Sequence, residues 1–318
     1  MSPKPRNTLL VLRWDAAIMI FDTFFHAAGS VISCLFQRRR ERPKTALRSL
    51  CVAAFDFAAH VDGQRLGRDG RRTLSRFLDL GALINDHFDQ HRFHDRSYRR
   101  LRKLLTADKG VCAVYLVYFR ELRRVERNRP QLRLPCEPGV LAQIAAYRED
   151  VVRLSLSALA ATALGRPNRG EWNDARRLAA EDPCLPHLFA LVMLLQMCDD
   201  LLDWRSDWRD RLLSFATAAL LQSEQRAEGR GADLAEMRAD IQRMAAAYVA
   251  SAPKRKGVYW PFALCTYAVL LLVKPLSIFA TRGMRRRKRP ARPHLKSCWS
   301  LLDVGPAEGG KDAISLED

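Results

Sequence analysis

The sequence predicts an all-α protein, and two observations carry that prediction. Apolar residues recur at three- and four-residue steps along most of the 318-residue chain, whereas the strict alternation of a half-buried strand is nearly absent. Between the periodic segments stand glycine- and proline-containing stretches that typically end helices, such as DGQRLGRDG from residue 62 and RNRPQLRLPCEPG from residue 127.

The periodic segments also predict the domain organisation. We expect one helical domain over residues 45–282, an N-terminal helix and basic linker over 1–44, and a basic, then polar C-terminal tail over 283–318 that is disordered. No internal repeat of fixed period is visible. The predicted helices are 8–37, 45–62, 71–90, 96–107, 110–127, 138–164, 171–180, 186–207, 209–224, 231–252 and 258–280.

Composition limits the classes of function. With 48% hydrophobic residues the chain can form a sizeable core, so a disordered protein is excluded. A net charge of +18 favours an anionic partner: nucleic acid, a phosphorylated small molecule or an acidic membrane surface.

The eight cysteines are scattered without a CxxC pair, which favours a cytoplasmic protein. Arg13 and Asp15 interrupt the first apolar run, so we expect a helix there rather than a signal peptide.

The stretch LLQMCDDLLDWRSDWRD, residues 194–210, places five aspartates in twelve positions directly after an apolar run. On a helix Asp199, Asp203 and Asp207 follow one another at four-residue steps, so their carboxylates share a face and repel each other. Neighbouring arginines would compensate this charge at a solvated helix end. The other interpretation is a divalent cation, because Mg²⁺ prefers carboxylate oxygens and is commonly shared with substrate phosphates.

A second acidic cluster favours the metal interpretation. Asp86 and Asp89 lie three residues apart at the end of another apolar segment. Basic residues that would suit phosphate oxygens follow directly: Arg92, Arg96, Arg99, Arg100, Arg102 and Lys103. Carboxylates for metal ions and arginines for phosphate oxygens together predict a diphosphate site.

These motifs resemble those of class I isoprenoid synthases. LLQMCDDLLDW is similar to the second aspartate-rich motif of trans-prenyl diphosphate synthases, in which a glutamine lies three residues before DDxxD. LINDHFD resembles the first motif, with Asn85 where an aspartate would stand. The superfamily also contains squalene and phytoene synthases and terpene cyclases, and the resemblance extends over roughly residues 50–280.

The resemblance implies a single large helical bundle of the isoprenoid (terpene) synthase type, with the two acidic helices facing across a central apolar cavity. It implies Mg²⁺ as cofactor, as three ions with Mn²⁺ as a substitute, and ionisation of an allylic prenyl diphosphate with release of pyrophosphate. The residues carried over are Asp86, Asp89, Asp199, Asp200 and Asp203 for catalysis; Asp86, Asp89, Asp199, Asp203 and Asp207 for metal; and Arg99, Arg100, Arg153 and Gln196 for the diphosphate.

The sequence departs from each branch of that superfamily. WRSDWRDRLLSFATAAL follows the second motif in place of a lysine-rich KxGKD-type stretch, and RLSLSALAATAL stands where a lysine and threonine pair is usual. The NSE-type motif of terpene cyclases is not found. Condensation is preferred because both motifs are rich in aspartate, with cyclisation left open. Aromatic residues that would line the cavity are Phe77, Phe88, Tyr115, Tyr118, Phe119 and Phe189.

Two other classes of function stay open. One is a non-catalytic helical protein whose basic surface binds an anionic membrane; a nucleic-acid partner is not expected, because no aromatic and basic nucleic-acid motif is present. The other is a metal-dependent phosphohydrolase built on His87, His91 and His94 with the nearby aspartates, although exposed helix histidines are the preferred explanation of that spacing. A homodimer is compatible with each.

The last apolar segment, residues 258–280, raises the question of membrane contact. Its uncharged stretch from Gly257 to Val273 is 17 residues long, at the lower limit for crossing a bilayer. We therefore expect a final core helix. Basic clusters on both sides, at 254–256 and 285–289, favour peripheral attachment to the inner face of an anionic membrane.

Overall fold

The computed structural model describes residues 44–64, 66–90, 95–131, 139–164, 182–227, 233–253 and 258–285. Within these ranges the protein is all-α, with nine helices and no strand, so the predicted fold class is confirmed there. The helices are α1 (Lys44–Val61), α2 (Arg68–Gln90), α3 (Asp95–Leu105), α4 (Lys109–Arg127), α5 (Val140–Ala163), α6 (Leu185–Asp210), α7 (Phe215–Arg226), α8 (Leu234–Ser251) and α9 (Trp260–Arg285).

The chain divides into two compact units, Met1–Thr281 and Arg282–Asp318. The first unit contains α1 to α8 and nearly all of α9, and every contact described below lies within it. The predicted helices at 8–37 and 171–180 lie outside the described residues, as does the tail beyond residue 285.

Helix α5 lies at the centre of the first unit. It packs against α1, α2, α4, α6 and α7, and half of its side chains are buried, with Ile144 and Ala160 fully inaccessible. Both helices that carry the acidic clusters, α2 and α6, therefore contact the same helix. Helix α5 also carries polar side chains, among them Arg148 and Arg153, which lie beside α6.

Short polar residues set the helix starts. Asp108 accepts hydrogen bonds from the backbone N–H groups of Gly110 and Val111 at the start of α4. Asp182 does the same for Cys184 and Leu185 at the start of α6. These carboxylates satisfy N–H groups that have no partner within the first turn of a helix.

The junction between α6 and α7 differs from the prediction. The periodicity predicts helices at 186–207 and 209–224, whereas α6 continues to Asp210 and α7 begins at Phe215. Arg211 ends α6 in the left-handed region with φ of 57°, and Ser214 caps α7 in a capping box with Thr217. The predicted break at residue 208 is too early, because the left-handed turn at Arg211 and the Ser214 cap leave no mark in the apolar periodicity.

Candidate functional site

The acidic stretch forms the last turns of α6. Asp199 is exposed, Asp203 and Asp207 are partly exposed, and Asp200 is buried at 3% exposure. A four-residue spacing rotates a helix by about 40° beyond one full turn, which places Asp199, Asp203 and Asp207 along one side of α6. The buried aspartate faces the protein interior instead.

Asp200 connects three helices. Its Oδ1 accepts hydrogen bonds from Gln196 Nε2 at 3.0 Å and from Arg148 Nη2 at 3.4 Å. Its Oδ2 accepts the backbone N–H of Phe215 at 2.8 Å. Asp200 thereby joins α5 to α6 and caps the first turn of α7, where negative charge also interacts favourably with the helix dipole. Gln196, predicted to contact the diphosphate, binds this carboxylate.

The pKa of Asp207 shows the electrostatic character of the cluster. It is raised to about 7, mainly by burial, secondly by the negative charge of Asp200 and to a smaller extent by that of Asp199. A hydrogen bond from Ser214 and the positive charge of Arg148 act in the opposite direction. The carboxylates therefore lie close enough to oppose one another's ionisation, and a bound cation would relieve that repulsion.

Helix α5 supplies the basic side chains nearest to α6. The Arg148 side chain is only 12% exposed and pairs with Asp200. Arg153 pairs with Glu149 at 2.9 Å and lies over the ring of Phe189 at 4.5 Å from its centroid. Glu149 also accepts a hydrogen bond from Tyr248 Oη at 3.1 Å. Arg153 therefore lies beside the first turns of α6, further from its acidic end than Arg148.

The other predicted site residues lie elsewhere or outside the described side chains. Arg99 and Arg100 are exposed on α3, which packs against α2 and α4. Asp86 and Asp89 belong to α2, but their side chains and that of Phe88 lie outside the described residues. The predicted arrangement of Asp86 and Asp89 opposite Asp199 and Asp203 therefore stays a prediction.

Aromatic side chains cluster further along the same face of α5. Phe77 of α2 meets Tyr118 of α4 edge to face at 5.8 Å between ring centroids, and both are buried. Tyr118 Oη lies 3.4 Å from Ser155 Oγ on α5. Ser155 follows Arg148 by two helical turns, about 10 Å along the axis, so one face of α5 runs from the carboxylate cluster to the aromatic cluster.

Two contributors to the site carry no clear sequence signal. Arg148 stands in an ordinary charged stretch, YRED, and only its pairing with Asp200 distinguishes it from a surface arginine. The backbone N–H of Phe215 contributes through the fold alone. Neither a repeat nor a spacing rule would have identified them.

The carboxylates suit a hard cation by donor type, since Mg²⁺ binds carboxylate oxygens. Among the residues that the structure describes, however, no group of three or more His, Cys, Asp or Glu side chains is arranged to hold a metal ion. Asp200 is already engaged by three donors. A metal site here would therefore need ligands from a second element as well as Asp199, Asp203 and Asp207.

Comparisons of the chain with models of protein families, with curated proteins and with solved structures give no match. A function for the protein can therefore be inferred only from its own residues and their contacts.

Proposed function

We propose that the protein is a Mg²⁺-dependent enzyme of the class I isoprenoid synthase type, which ionises an allylic prenyl diphosphate and releases pyrophosphate. The observation that carries the proposal is the four-carboxylate cluster at the end of α6, bound through Asp200 to Arg148 of α5. Two buried helices present acidic and basic groups together, while aromatic rings cluster along the same face of α5.

The proposed metal ligands are Asp199, Asp203 and Asp207 together with Asp86 and Asp89 of α2. When bound, Mg²⁺ neutralises charge on a diphosphate leaving group. The pKa of Asp207 is raised mainly by burial and secondly by the negative charge of Asp200, and the second cause is compatible with this assignment, because a bound cation would offset that charge. Three ions remain the number that the family resemblance implies, with Mn²⁺ as a substitute.

The protein's own side chains have separate roles in this proposal. Asp200, held by Gln196, Arg148 and the start of α7, positions the α6 carboxylates rather than binding a metal ion itself. Arg153 keeps 35% of its side chain exposed, so its guanidinium can turn from Glu149 to phosphate oxygens. Arg99 and Arg100, exposed on α3, would guide the anionic substrate towards the site.

The aromatic cluster supplies the second requirement of this chemistry. Loss of diphosphate leaves an allylic carbocation that water would capture, so the chain must be held in a space that excludes water. Ring faces such as those of Phe77 and Tyr118 also stabilise positive charge. Condensation with a second isoprenoid is the preferred reaction, and cyclisation within one chain is the alternative on the same fold.

A second candidate function is favoured by one observation. Helix α9 exposes a row of large apolar side chains, which a non-catalytic protein that binds anionic membranes would also display. In that case the α6 carboxylates would be dispensable for function, which separates the two candidates experimentally.

The test is turnover of a panel of allylic diphosphates with Mg²⁺, with and without isopentenyl diphosphate, measured as pyrophosphate release and product analysis. We expect Asp199→Asn to lower the rate at least about a hundredfold, as is usual when a transition-state charge stabiliser is removed. Its far-ultraviolet circular dichroism should stay unchanged. Asp210→Asn is the matched control, because Asp210 lies on the same helix but pairs with Arg209 at the surface.

Two results would contradict the proposal. Wild-type protein that releases no pyrophosphate from any member of the panel would remove the activity. Asp199→Asn with full activity would remove the assigned site. Binding is measured independently: Mg²⁺ with a non-hydrolysable diphosphate should raise the melting temperature of the wild type, since a ligand that binds only the folded state stabilises it.

A further inference from the structure

Large apolar side chains form a row along the solvent side of α9. Trp260, Leu264, Tyr267, Leu271 and Phe279 are 42%, 42%, 40%, 75% and 54% exposed. They recur mainly at three- and four-residue steps, with the exposed Pro275 between the last two, so they lie on one side of the helix. A continuous apolar row of this kind marks an interaction surface rather than scattered exposed residues.

The opposite side of α9 belongs to the protein core. Phe262 packs edge to face on Phe57 of α1 at 5.5 Å between centroids, and Val269 and Val273 are buried. The buried side includes hydroxyl groups, such as Ser277 Oγ, which lies 3.4 Å from Gln242 Nε2 of α8. The helix is therefore fixed to the bundle along one side and open along the other.

This arrangement distinguishes contact with a membrane surface from a membrane span. By length and composition α9 could cross a bilayer, as could α6, among the described residues. Crossing would pull the Phe262 side out of its packing and would place the buried hydroxyl groups in lipid. Lying in the interface requires no rearrangement, because only the exposed row enters the acyl boundary.

Charge identifies the partner. Lys274 is exposed at the edge of the row. In the sequence, Lys254, Arg255 and Lys256 precede the helix, Arg285 is its last residue, and Arg286 and Arg287 come directly after it. The row itself is about 28 Å long at the rise of an α-helix. An apolar strip with an exposed lysine at its edge, in a segment that basic residues flank in the sequence, matches a surface of anionic headgroups over acyl chains.

We propose that the exposed face of α9 is a membrane-docking surface, which lies parallel to an anionic bilayer with Trp260, Leu271 and Phe279 inserted at the headgroup boundary. The neutral tips of Trp260 and Tyr267 suit that depth, where one end of a side chain is apolar and the other is hydrated. A second copy of the chain fits less well, because a two-fold pairing of this face would bring the same basic groups together.

The test is flotation of the full chain with vesicles of phosphatidylcholine alone and of phosphatidylcholine with phosphatidylglycerol. We expect binding to the anionic vesicles only, weakened by about tenfold or more in Leu271→Glu, since the substitution places a carboxylate at the most inserted position. Leu116→Glu is the matched control, because Leu116 is also exposed, at 44%, but lies on α4. It should bind within about twofold of the wild type, as expected for a residue outside the docking surface.

Both variants are first compared with the wild type by circular dichroism and thermal unfolding, and sedimentation measures the oligomeric state. Absence of wild-type binding to anionic vesicles, or equal losses in Leu271→Glu and Leu116→Glu, would overturn the proposal. So would a wild-type dimer that Leu271→Glu converts to a monomer without any change in vesicle binding. These measurements do not involve prenyl diphosphate, so their outcome is independent of the proposed enzymatic activity.

Discussion

Helices α6 and α9 have the same length, 26 residues, and both are apolar enough to cross a membrane. Their surroundings differ. In the most apolar window of each, 61% of α6 but 44% of α9 is buried inside the protein. Helix α6 is enclosed by α5, α7 and α8 and exposes only its acidic end, whereas α9 buries one side and exposes an apolar row.

The composition of an apolar helix therefore does not determine whether the helix is enclosed by the protein or exposes an apolar surface. Residues such as Met193 and Leu194 of α6 and Leu271 of α9 contribute similarly to hydropathy, yet the first two are fully buried and the third is 75% exposed. The charged residues of the two helices differ in the same way. Asp200 of α6 faces neighbouring helices, whereas Lys274 of α9 is exposed beside the apolar row.

The largest expected effect concerns the polar end of α6. Asp200→Ala leaves Arg148 buried without its carboxylate and removes the cap of α7, so we expect a loss of about 3–5 kcal/mol in the free energy of unfolding. Urea denaturation measures it. Asp210→Ala is the control: its partner Arg209 is exposed, so its loss should stay below about 1 kcal/mol. Similar losses of unfolding free energy in the two variants would show that the contacts of Asp200 do not contribute more to stability than a surface ion pair.

The apolar parts of the two helices provide the next contrast. Leu194→Ala should cost about 2–5 kcal/mol, because it leaves a cavity at a fully buried position. Leu271→Ala in α9 should change stability by no more than about 0.5 kcal/mol in solution. Chemical denaturation without lipid compares the two. A large loss at Leu271 would mean that its side chain is packed against protein, and the docking surface would have to be abandoned.

Pro275 lies inside α9, on the exposed side of the helix. A proline inside a helix cannot donate to the carbonyl four residues earlier, here that of Leu271, and its ring crowds that turn. Since the position is exposed, water can satisfy the carbonyl. We expect Pro275→Ala to stabilise the protein by about 1–3 kcal/mol in thermal unfolding. A destabilised variant would indicate that Pro275 is required for the packing of α9 against α1 and α8.

The smallest expected effect is the pH dependence due to Asp207. Its folded-state pKa is raised to about 7, so from about pH 4 to 7 the unfolded chain has lost a proton that the folded chain retains. Stability contributed by this group is therefore present at low pH and falls as pH rises through that window. Asp207→Asn should remove the fall and, in chelator at pH 8, stabilise the protein on the order of 1 kcal/mol. This is well below the full shift at about 1.4 kcal/mol for each pKa unit, because the side chain is partly exposed and solvent screens its charge.

Parallel denaturation series of wild type and Asp207→Asn across pH 4 to 8 isolate this group from the other carboxylates. A difference between the two proteins that stays constant across the range would show that Asp207 titrates normally. Repeating the series with Mg²⁺ would sharpen the comparison, since a bound cation lowers the pKa of a ligand carboxylate.

Much of the fold could be predicted from the sequence. Each of the nine helices in the described ranges overlaps a predicted segment, because three- and four-residue apolar periodicity is a local property that survives in most helices of a bundle. The start of α7 was predicted too early, at residue 209 instead of Phe215, since the left-handed Arg211 and the capping serine leave no mark in the apolar periodicity.

The candidate site was predicted less completely. The motif DDxxD predicted a catalytic role for both Asp199 and Asp200 and a metal-binding role for Asp199, but it did not indicate that Asp199 is exposed while Asp200 is buried and paired with Arg148. Adjacent residues on a helix point about 100° apart, so one position separates solvent from core. Which of the two faces inward depends on the helices that pack beside α6.

The sequence by itself therefore determined the helical class, the helix positions and the residues that carry charge, since these follow from local periodicity and composition. Tertiary structure alone decided which aspartate became a capping group and which arginine paired with it. It also decided that the apolar row of α9 stays open while α6 is enclosed. Those outcomes depend on contacts between residues distant in the chain, and no local pattern records which neighbours a helix will have.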